Sequence, residues 1–329
     1  MKLLIRYTIL TITLSVYGCE SETVSFQKQL DNEYGKYVET VTPENRKFYE
    51  AYNKALKLWD TPYGEVNIKT SYGNAHVIVS GPENGEAVVL LHGMNASSTM
   101  WYPNIGALAK HHRVYAIDYL LEPGKSELNG KVKNMEEIMG WHDEIFKKLK
   151  LKEFSIIGAS RGGWLAVYIA LQHKYAIKNM ILLSPAQTFT PIPPGSGMLT
   201  NIIYTINPKR KKLRDVLETM SVNVDIIKQA YIDQYFIATE KASLNKFILQ
   251  MTPYSDDELR SLTMPVLTLI GDHDIVNPKK SIEKAEELLP QSDTGVIENA
   301  GHFLSFDKAD IVNARMLEFL NVNSAEPFL

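Results

Sequence analysis

The chain has 329 residues, 45% of them apolar and 22% charged, with a formal net charge of −3. That apolar share excludes a disordered chain and suits one large α/β domain with room for an insertion. The near-neutral balance excludes the basic domain or stripe that a nucleic-acid partner calls for, and the short run Lys209-Arg210-Lys211-Lys212 reads as a solvated helix end.

Two positive charges within Met1–Arg6 precede an apolar stretch from Tyr7 to Val16, the pattern of an export signal. A stretch of roughly ten residues rises about 15 Å as a helix, half of a bilayer core of about 30 Å. Cys19 is the single cysteine, so no intrachain disulfide forms. Val16-Tyr17-Gly18-Cys19 resembles a bacterial lipobox. The resemblance implies that residues 1–18 are a signal peptide cleaved before Cys19, that Cys19 is lipidated, and that the protein sits on the outer face of the cytoplasmic membrane. An uncleaved anchor and ordinary secretion are the alternatives. Residues 19–41, polar with few aliphatics, are expected to form a tether.

Within 42–62, Thr42-Pro43-Glu44 has the chemistry of a helix start: a hydroxyl at the cap, a proline in the first turn and an acid near the positive end. Phe48, Tyr52, Ala55 and Trp59 then recur at helical spacing and should pack on the domain. Strand-like runs Val66–Thr70 and Ala75–Val79 flank Tyr72-Gly73-Asn74 as a hairpin. Continuous apolar runs at Ala87–Leu91, Val114–Ile117, Phe154–Ile157, Met180–Leu183 and Val266–Ile270 read as strands buried on both faces, with a further strand-like run at Thr294–Ile297. Helices are expected over 98–110, 134–150, 161–173, 277–289 and 306–320. The alternation predicts a mostly parallel sheet covered by helices, built from residues 63–186 and 263–329. It breaks over 187–262, which shows no buried strand and reads as an inserted helical cap rich in aromatics, among them Tyr204, Tyr231, Tyr235 and Phe236.

The strongest chemical signal is Gly158-Ala159-Ser160-Arg161-Gly162, between a strand and a helix. This is the G-x-S-x-G elbow, in which glycines relieve crowding at a sharp turn that projects the serine hydroxyl. A serine hydroxyl needs a base to take its proton. Of the histidines, His76, His92, His111, His112, His142 and His173 lie in the hairpin, in helical or surface-like stretches, or before the serine. His302, in Gly301-His302 after the last strand, fits the order serine, acid, histidine. The orienting acid is expected from Gly271-Asp272-His273-Asp274, with Asp274 favoured over Asp272. Asp118 is expected to shape its own loop. Oxyanion donors are expected from the backbone N–H groups of Arg161 and of Met94, in the loop His92-Gly93-Met94-Asn95.

Together the strand-His-Gly, the elbow, Gly-x-x-Asp and Gly-His resemble the α/β-hydrolase superfamily, in its capped esterase and lipase-like branch, over about residues 63–322. The resemblance implies hydrolysis of carboxylic esters through an acyl-enzyme on Ser160, with His302 as base and Asp274 as orienting acid. It implies no cofactor, and a small-molecule ester or related acyl substrate as partner. Acyl-enzyme chemistry on a peptide, thioester or lactone, or acyl transfer, is an alternative; a non-catalytic binding protein on the same scaffold is another. Two features depart from the family. The loop Tyr119–Ser126 is long, and Arg161 stands where an uncharged side chain is usual. Its guanidinium is expected either to pair with a nearby acid or to meet an anionic substrate.

Overall fold

The computed structural model describes residues 21–130, 132–241 and 251–324. The expected export signal and Cys19 lie outside these residues. Among the described residues no helix is long and apolar enough to cross a membrane.

Residues 21–34 form helix α1. Helix α2 (Arg46–Leu56), the hairpin β1 (Tyr63–Thr70) and β2 (Gly73–Ser80), β3 (Glu86–Leu91), the short α3 (Ile105–Leu108), β4 (His112–Ile117) and β5 (Glu127–Leu128) follow. Next come α4 (Met135–Lys148), β6 (Glu153–Ala159), α5 (Arg161–Leu171) and β7 (Ala176–Leu183). Four helices then run without an intervening strand among the described residues: α6 (Ser196–Ile206), α7 (Arg210–Met220), α8 (Gln229–Lys241) and α9 (Asp256–Arg260). The chain ends in β8 (Val266–Gly271), α10 (Lys280–Leu288), β9 (Ser292–Ile297), α11 (Leu304–Asp307) and α12 (Ala309–Ser324).

The strands join in the order β1-β2-β4-β3-β6-β7-β8-β9, with β5 on β2. From β4 to β9 every pairing is parallel, while β2 runs antiparallel to β1 and β4. The sheet is therefore mostly parallel, as the strand–helix alternation predicts. Its continuous apolar runs are explained by helices on both faces. On one face Trp141, Ile145 and Phe146 of α4 and Leu165 and Ile169 of α5 pack with Ile156 and Met180. On the other, Val312, Met316 and Leu320 of α12 and Tyr52 of α2 pack with Ile157 and Leu267.

The helical excursion closes on itself. Tyr254 N–H donates to Thr188 O at 3.1 Å, Tyr254 OH donates to Trp164 O at 2.9 Å, and Trp164 stacks on Tyr254 with ring centroids 5.3 Å apart. Chain exit and return are thus adjacent beside α5, which lets the segment be inserted without disturbing the sheet.

Three expectations change. Helix α2 starts at Arg46 and not at Pro43: Thr42 and Asn45 instead form a side-chain-closed turn, with Thr42 N–H donating to Asn45 Oδ1 at 2.7 Å. The helix expected over 98–110 is broken into a 3-10 turn at Ser98–Trp101 and α3, because Pro103 lacks the N–H that would continue the helical hydrogen bonds. The segment expected as a tether is folded onto the domain over much of its length. Leu30 is fully buried, and the Gln27 side-chain amide donates to Glu65 O at 3.0 Å while accepting from Glu65 N–H at 2.7 Å, so it covers the free edge of β1.

The strap after α1 enters a buried charge cluster. His76 on β2 lies between Glu65 Oε2, 2.9 Å from Nε2, and Asp118 Oδ2, 3.0 Å from Nδ1. Lys125 Nζ reaches Glu65 at 2.6 Å and Glu39 at 2.8 Å. Burial opposes charge on each of His76, Glu65 and Asp118, but their mutual hydrogen bonds outweigh it. The imidazole is raised above its ordinary value, Glu65 is held at about 2, and Asp118 is held well below the carboxylate range. The carboxylates' contribution to stability is present above their unfolded values and is lost as pH falls through the folded ones. That of His76 is complete below its unfolded value and is lost as pH rises through its raised folded value. His76→Phe leaves two carboxylates without their common partner, and should cost about 3–5 kcal/mol in urea denaturation near neutral pH. It should also remove the alkaline loss expected of the wild-type protein.

Candidate active site

Ser160 sits between β6 and α5 with φ 53° and ψ −118°, a backbone conformation costly for a residue with a side chain. Its surroundings hold it there. Ser160 N–H donates to Leu183 O at 2.9 Å, and Ser160 O accepts from Gly163 N–H at 3.0 Å and Ala186 N–H at 3.1 Å. A Cβ on Gly158 would collide with the Gly162 carbonyl, and one on Gly162 with the Leu91 carbonyl. The elbow's glycines are therefore required by close backbone approach, as the motif implies.

The loop after β9 brings His302 to the serine. His302 Nε2 lies 2.9 Å from Ser160 Oγ, and Nδ1 lies 3.0 Å from Asp274 Oδ1. An ionised carboxylate only accepts, so Nδ1 donates to Asp274 and Nε2 is left to accept from the hydroxyl. Asp274 is fixed in turn by Val276 N–H at 2.8 Å and the Asn277 side-chain amide at 3.0 Å. Burial works against its ionisation, but His302, Asn277 and Val276 outweigh this and keep its carboxyl below the usual aspartate range.

Asp272 has different partners. Its carboxylate accepts from Asn299 N–H and Ala300 N–H, each at 3.0 Å, and from His273 at 2.7 Å. It holds the loop that carries His302 without touching the imidazole. Asp307 does the same from α11, accepting Gly301 N–H at 2.8 Å, and Phe303 N–H donates to Met220 O at 2.8 Å at the end of α7. Nothing in the local sequence around Asp307 marks this role, since its partner lies in another turn.

The loop Gly93-Met94-Asn95 faces the elbow: a Cβ built on Gly93 would lie 3.3 Å from Ser160 Cβ. Arg161 opens α5, so its N–H is among the first-turn donors that have no acceptor within the helix. The Arg161 side chain turns away into the protein. Its Nε approaches Glu122 Oε1 at 3.4 Å, an ion pair rather than a formed hydrogen bond, and its guanidinium lies 3.9 Å from the Tyr119 ring centroid. Of the two expectations for this arginine, pairing with an acid is the one observed. His92 is buried and structural: Nδ1 lies 2.8 Å from Gly93 O, and Nε2 accepts from Tyr119 N–H at 2.8 Å. Burial and the Arg161 charge push it down to about 4, so it is neutral. Asp118 shapes its own loop, as expected, accepting from Lys125 N–H and Ser98 N–H at 2.8 Å each.

Above Ser160 and His302 lies a cavity of about 320 Å³. Met94, Ala96 and Met100 line it from the body, Tyr204, Tyr231 and Tyr235 from the helical excursion, and Phe303 and Phe306 from the histidine loop and α11. No Asp, Glu, Lys or Arg is among its described lining residues.

Residues 82–309 match the family described as Serine aminopeptidase, S33 (Hydrolase_4). The chain belongs to this family. The hydrolase is 31% identical to the uncharacterized carboxylesterase nap of Bacillus subtilis over 84% of this chain and 93% of that protein. It is 30% identical to carboxylesterase YbfK of the same organism over 83% of this chain and 93% of that protein. The crystal structure of naproxen esterase (carboxylesterase NP) from Bacillus subtilis superposes with a TM-score of 0.79 at 29% identity, covering 86% of the hydrolase and 100% of that chain. The hydrolase thus has the α/β-hydrolase fold and is an enzyme of the esterase kind.

Proposed function

We propose that the hydrolase cleaves uncharged carboxylic esters through an acyl-enzyme on Ser160. The observation that carries this reading is the Ser160–His302–Asp274 hydrogen-bond chain opening onto a cavity without a charged side chain. Ser160 Oγ attacks the ester carbon while His302 Nε2 takes the hydroxyl proton. The carbon–oxygen bond to the alcohol then breaks, and the same proton passes to the leaving oxygen. Water attacks the acyl carbon with its proton going to His302, the acid departs, and the serine recovers a proton. Asp274 holds the imidazole in the required tautomer and stabilises its charged form. The backbone N–H groups of Met94 and Arg161 are the donors for the negative oxygen of the tetrahedral intermediate.

The apolar cavity supports a neutral acyl or alcohol group, since a buried carboxylate without a partner is costly. The family's description names an aminopeptidase. A free substrate amine calls for a carboxylate in the cavity, and none of the described lining residues supplies one. Ester cleavage is favoured on that observation. Two aryl esters of equal size, one with a neutral acyl chain and one ending in a carboxylate, test the reading. The neutral ester should have the higher kcat/KM, by about tenfold to a hundredfold, the cost of desolvating an unpaired charge. Equal rates, or no hydrolysis of either, would overturn it.

We further propose that residues 1–18 direct export and that Cys19 carries the lipid that holds the enzyme at the outer face of the cytoplasmic membrane. The support is the charged head, the apolar stretch and the lipobox-like Val16–Cys19. Incorporation of labelled palmitate that persists in Cys19→Ala would contradict it.

A further inference from the structure

We infer that the buried pair Glu122–Arg161 is a brace that fixes the two oxyanion donors relative to each other, with Glu122 as a positioning residue for the reaction. The inference rests on the acyl-enzyme reading above.

The two proposed donors belong to separate parts of the fold. Met94 lies in the loop after β3, and Arg161 is the first residue of α5. A loop bearing a catalytic amide must be held to a fraction of an ångström, because a donor aimed at the ground state instead of the developing oxyanion gives no rate advantage. Glu122 connects the two parts. Its Oε2 accepts from Asn95 N–H at 2.8 Å, one residue beyond Met94, and its Oε1 faces Arg161 Nε at 3.4 Å. Both side chains are removed from solvent, Glu122 to 4% exposure and Arg161 to 8%. Arg161 therefore meets the site twice, through its amide at the elbow and through its guanidinium behind the loop.

The backbone of the loop is consistent with such a clamp. Asn95 has φ 57°, a left-handed conformation that a branched or bulky side chain resists, and its N–H is held by the Glu122 carboxylate. Farther along, Asp118 accepts Ser98 N–H at 2.8 Å, so the loop is suspended at two points from the segment after β4. The unusual length of Tyr119–Ser126 and the unusual charge at 161 are then one device: the long loop delivers Glu122, and the arginine offsets part of the cost of burying its charge. A pair of this kind adds little net stability relative to apolar replacements, which points to geometry as the reason for its presence.

The experiment compares wild type, Glu122→Ala, Glu122→Gln and Arg161→Met on a neutral aryl ester. It adds the rate of fluorophosphonate labelling and hydrogen exchange at the Asn95 amide. Glu122→Ala should lower kcat by about tenfold to a hundredfold with KM nearly unchanged, less than the loss of a whole donor. Labelling should slow in parallel, and the Asn95 amide should exchange faster. Glu122→Gln keeps an acceptor oxygen and should restore much of both. Folded Glu122→Ala with wild-type kcat overturns the brace. Should that variant fail to fold, Arg161→Met decides: a reduced kcat at constant KM supports the brace, and wild-type kcat overturns it. Absence of labelling at Ser160 in the wild type would sink the acyl-enzyme reading instead. The Asn95 exchange would then still judge the clamp: equal exchange in Glu122→Ala and wild type removes it.

Discussion

Ser160→Ala should lower kcat for a neutral aryl ester by about a millionfold, while leaving the unfolding midpoint close to that of the wild type. The hydroxyl donates to His302 Nε2, and Ser160 lines the cavity. Its removal deletes the nucleophile without touching the backbone bonds that hold the elbow, because those run through Ser160 N–H and O. Alanine also relieves nothing at φ 53°, since the strain belongs to any residue with a Cβ. Ester binding should persist, as the cavity is walled by Met94, Tyr231, Tyr235 and Phe306 and not by the serine alone. Stopped turnover with retained binding of a substrate-like ligand is therefore expected. Residual turnover within a hundredfold of wild type would mean that another nucleophile acts.

Asp274→Asn should lower kcat by about 10⁴-fold with little change in KM. An amide at this position can present its NH₂ to His302 Nδ1, which turns the imidazole into the wrong tautomer and removes the charge that stabilises its protonated form. With the NH₂ in the place of Oδ1 the Val276 N–H loses its acceptor, but the remaining oxygen still accepts from the Asn277 side-chain amide, so the fold should survive. Asp272→Asn is the informative comparison. In the wild type Asn299 N–H and Ala300 N–H donate to different carboxylate oxygens, so the amide oxygen of the variant keeps one of these bonds, and the imidazole of His302 is not among its partners. Its kcat should stay within an order of magnitude of wild type. Steady-state kinetics on the two variants separates an orienting acid from a loop-holding one, although the two aspartates are two positions apart in the sequence.

The chemistry was more legible in the sequence than its supports were. Gly158, Ser160 and Gly162 are readable because a sharp strand-to-helix turn has strict local requirements. His302 and Asp274 are readable because each follows a strand, where a parallel sheet exposes its loops at one edge. The sheet itself is signalled by apolar runs too long to alternate, such as Val88–Leu91, which is buried throughout. By contrast, Glu122 and Asn95 are 27 residues apart, and neither has a neighbour that marks the bond between them. The same holds for Asp307 and Gly301 across the turn that presents His302. The strap at the N-terminus hid a signal in plain view. Phe26, Leu30 and Tyr34 recur four residues apart, an apolar stripe on a helix otherwise polar but for the exposed Val24, and that stripe packs on the core. Its sparse aliphatics suggest a solvated tether by composition, whereas spacing decides the outcome. Tyr37 and Glu39 are likewise polar by composition, yet they close the buried cluster around Lys125.

The central claim is that the hydroxyl of Ser160, activated by His302, is the group that becomes acylated. Treatment of the folded protein with a fluorophosphonate, followed by mass analysis of its peptides, reads this directly. A single adduct on Ser160, formed by the native protein and not by the urea-unfolded chain or by His302→Ala on the same timescale, is expected. No adduct, an adduct on a different residue, or equal labelling of the unfolded chain would contradict it.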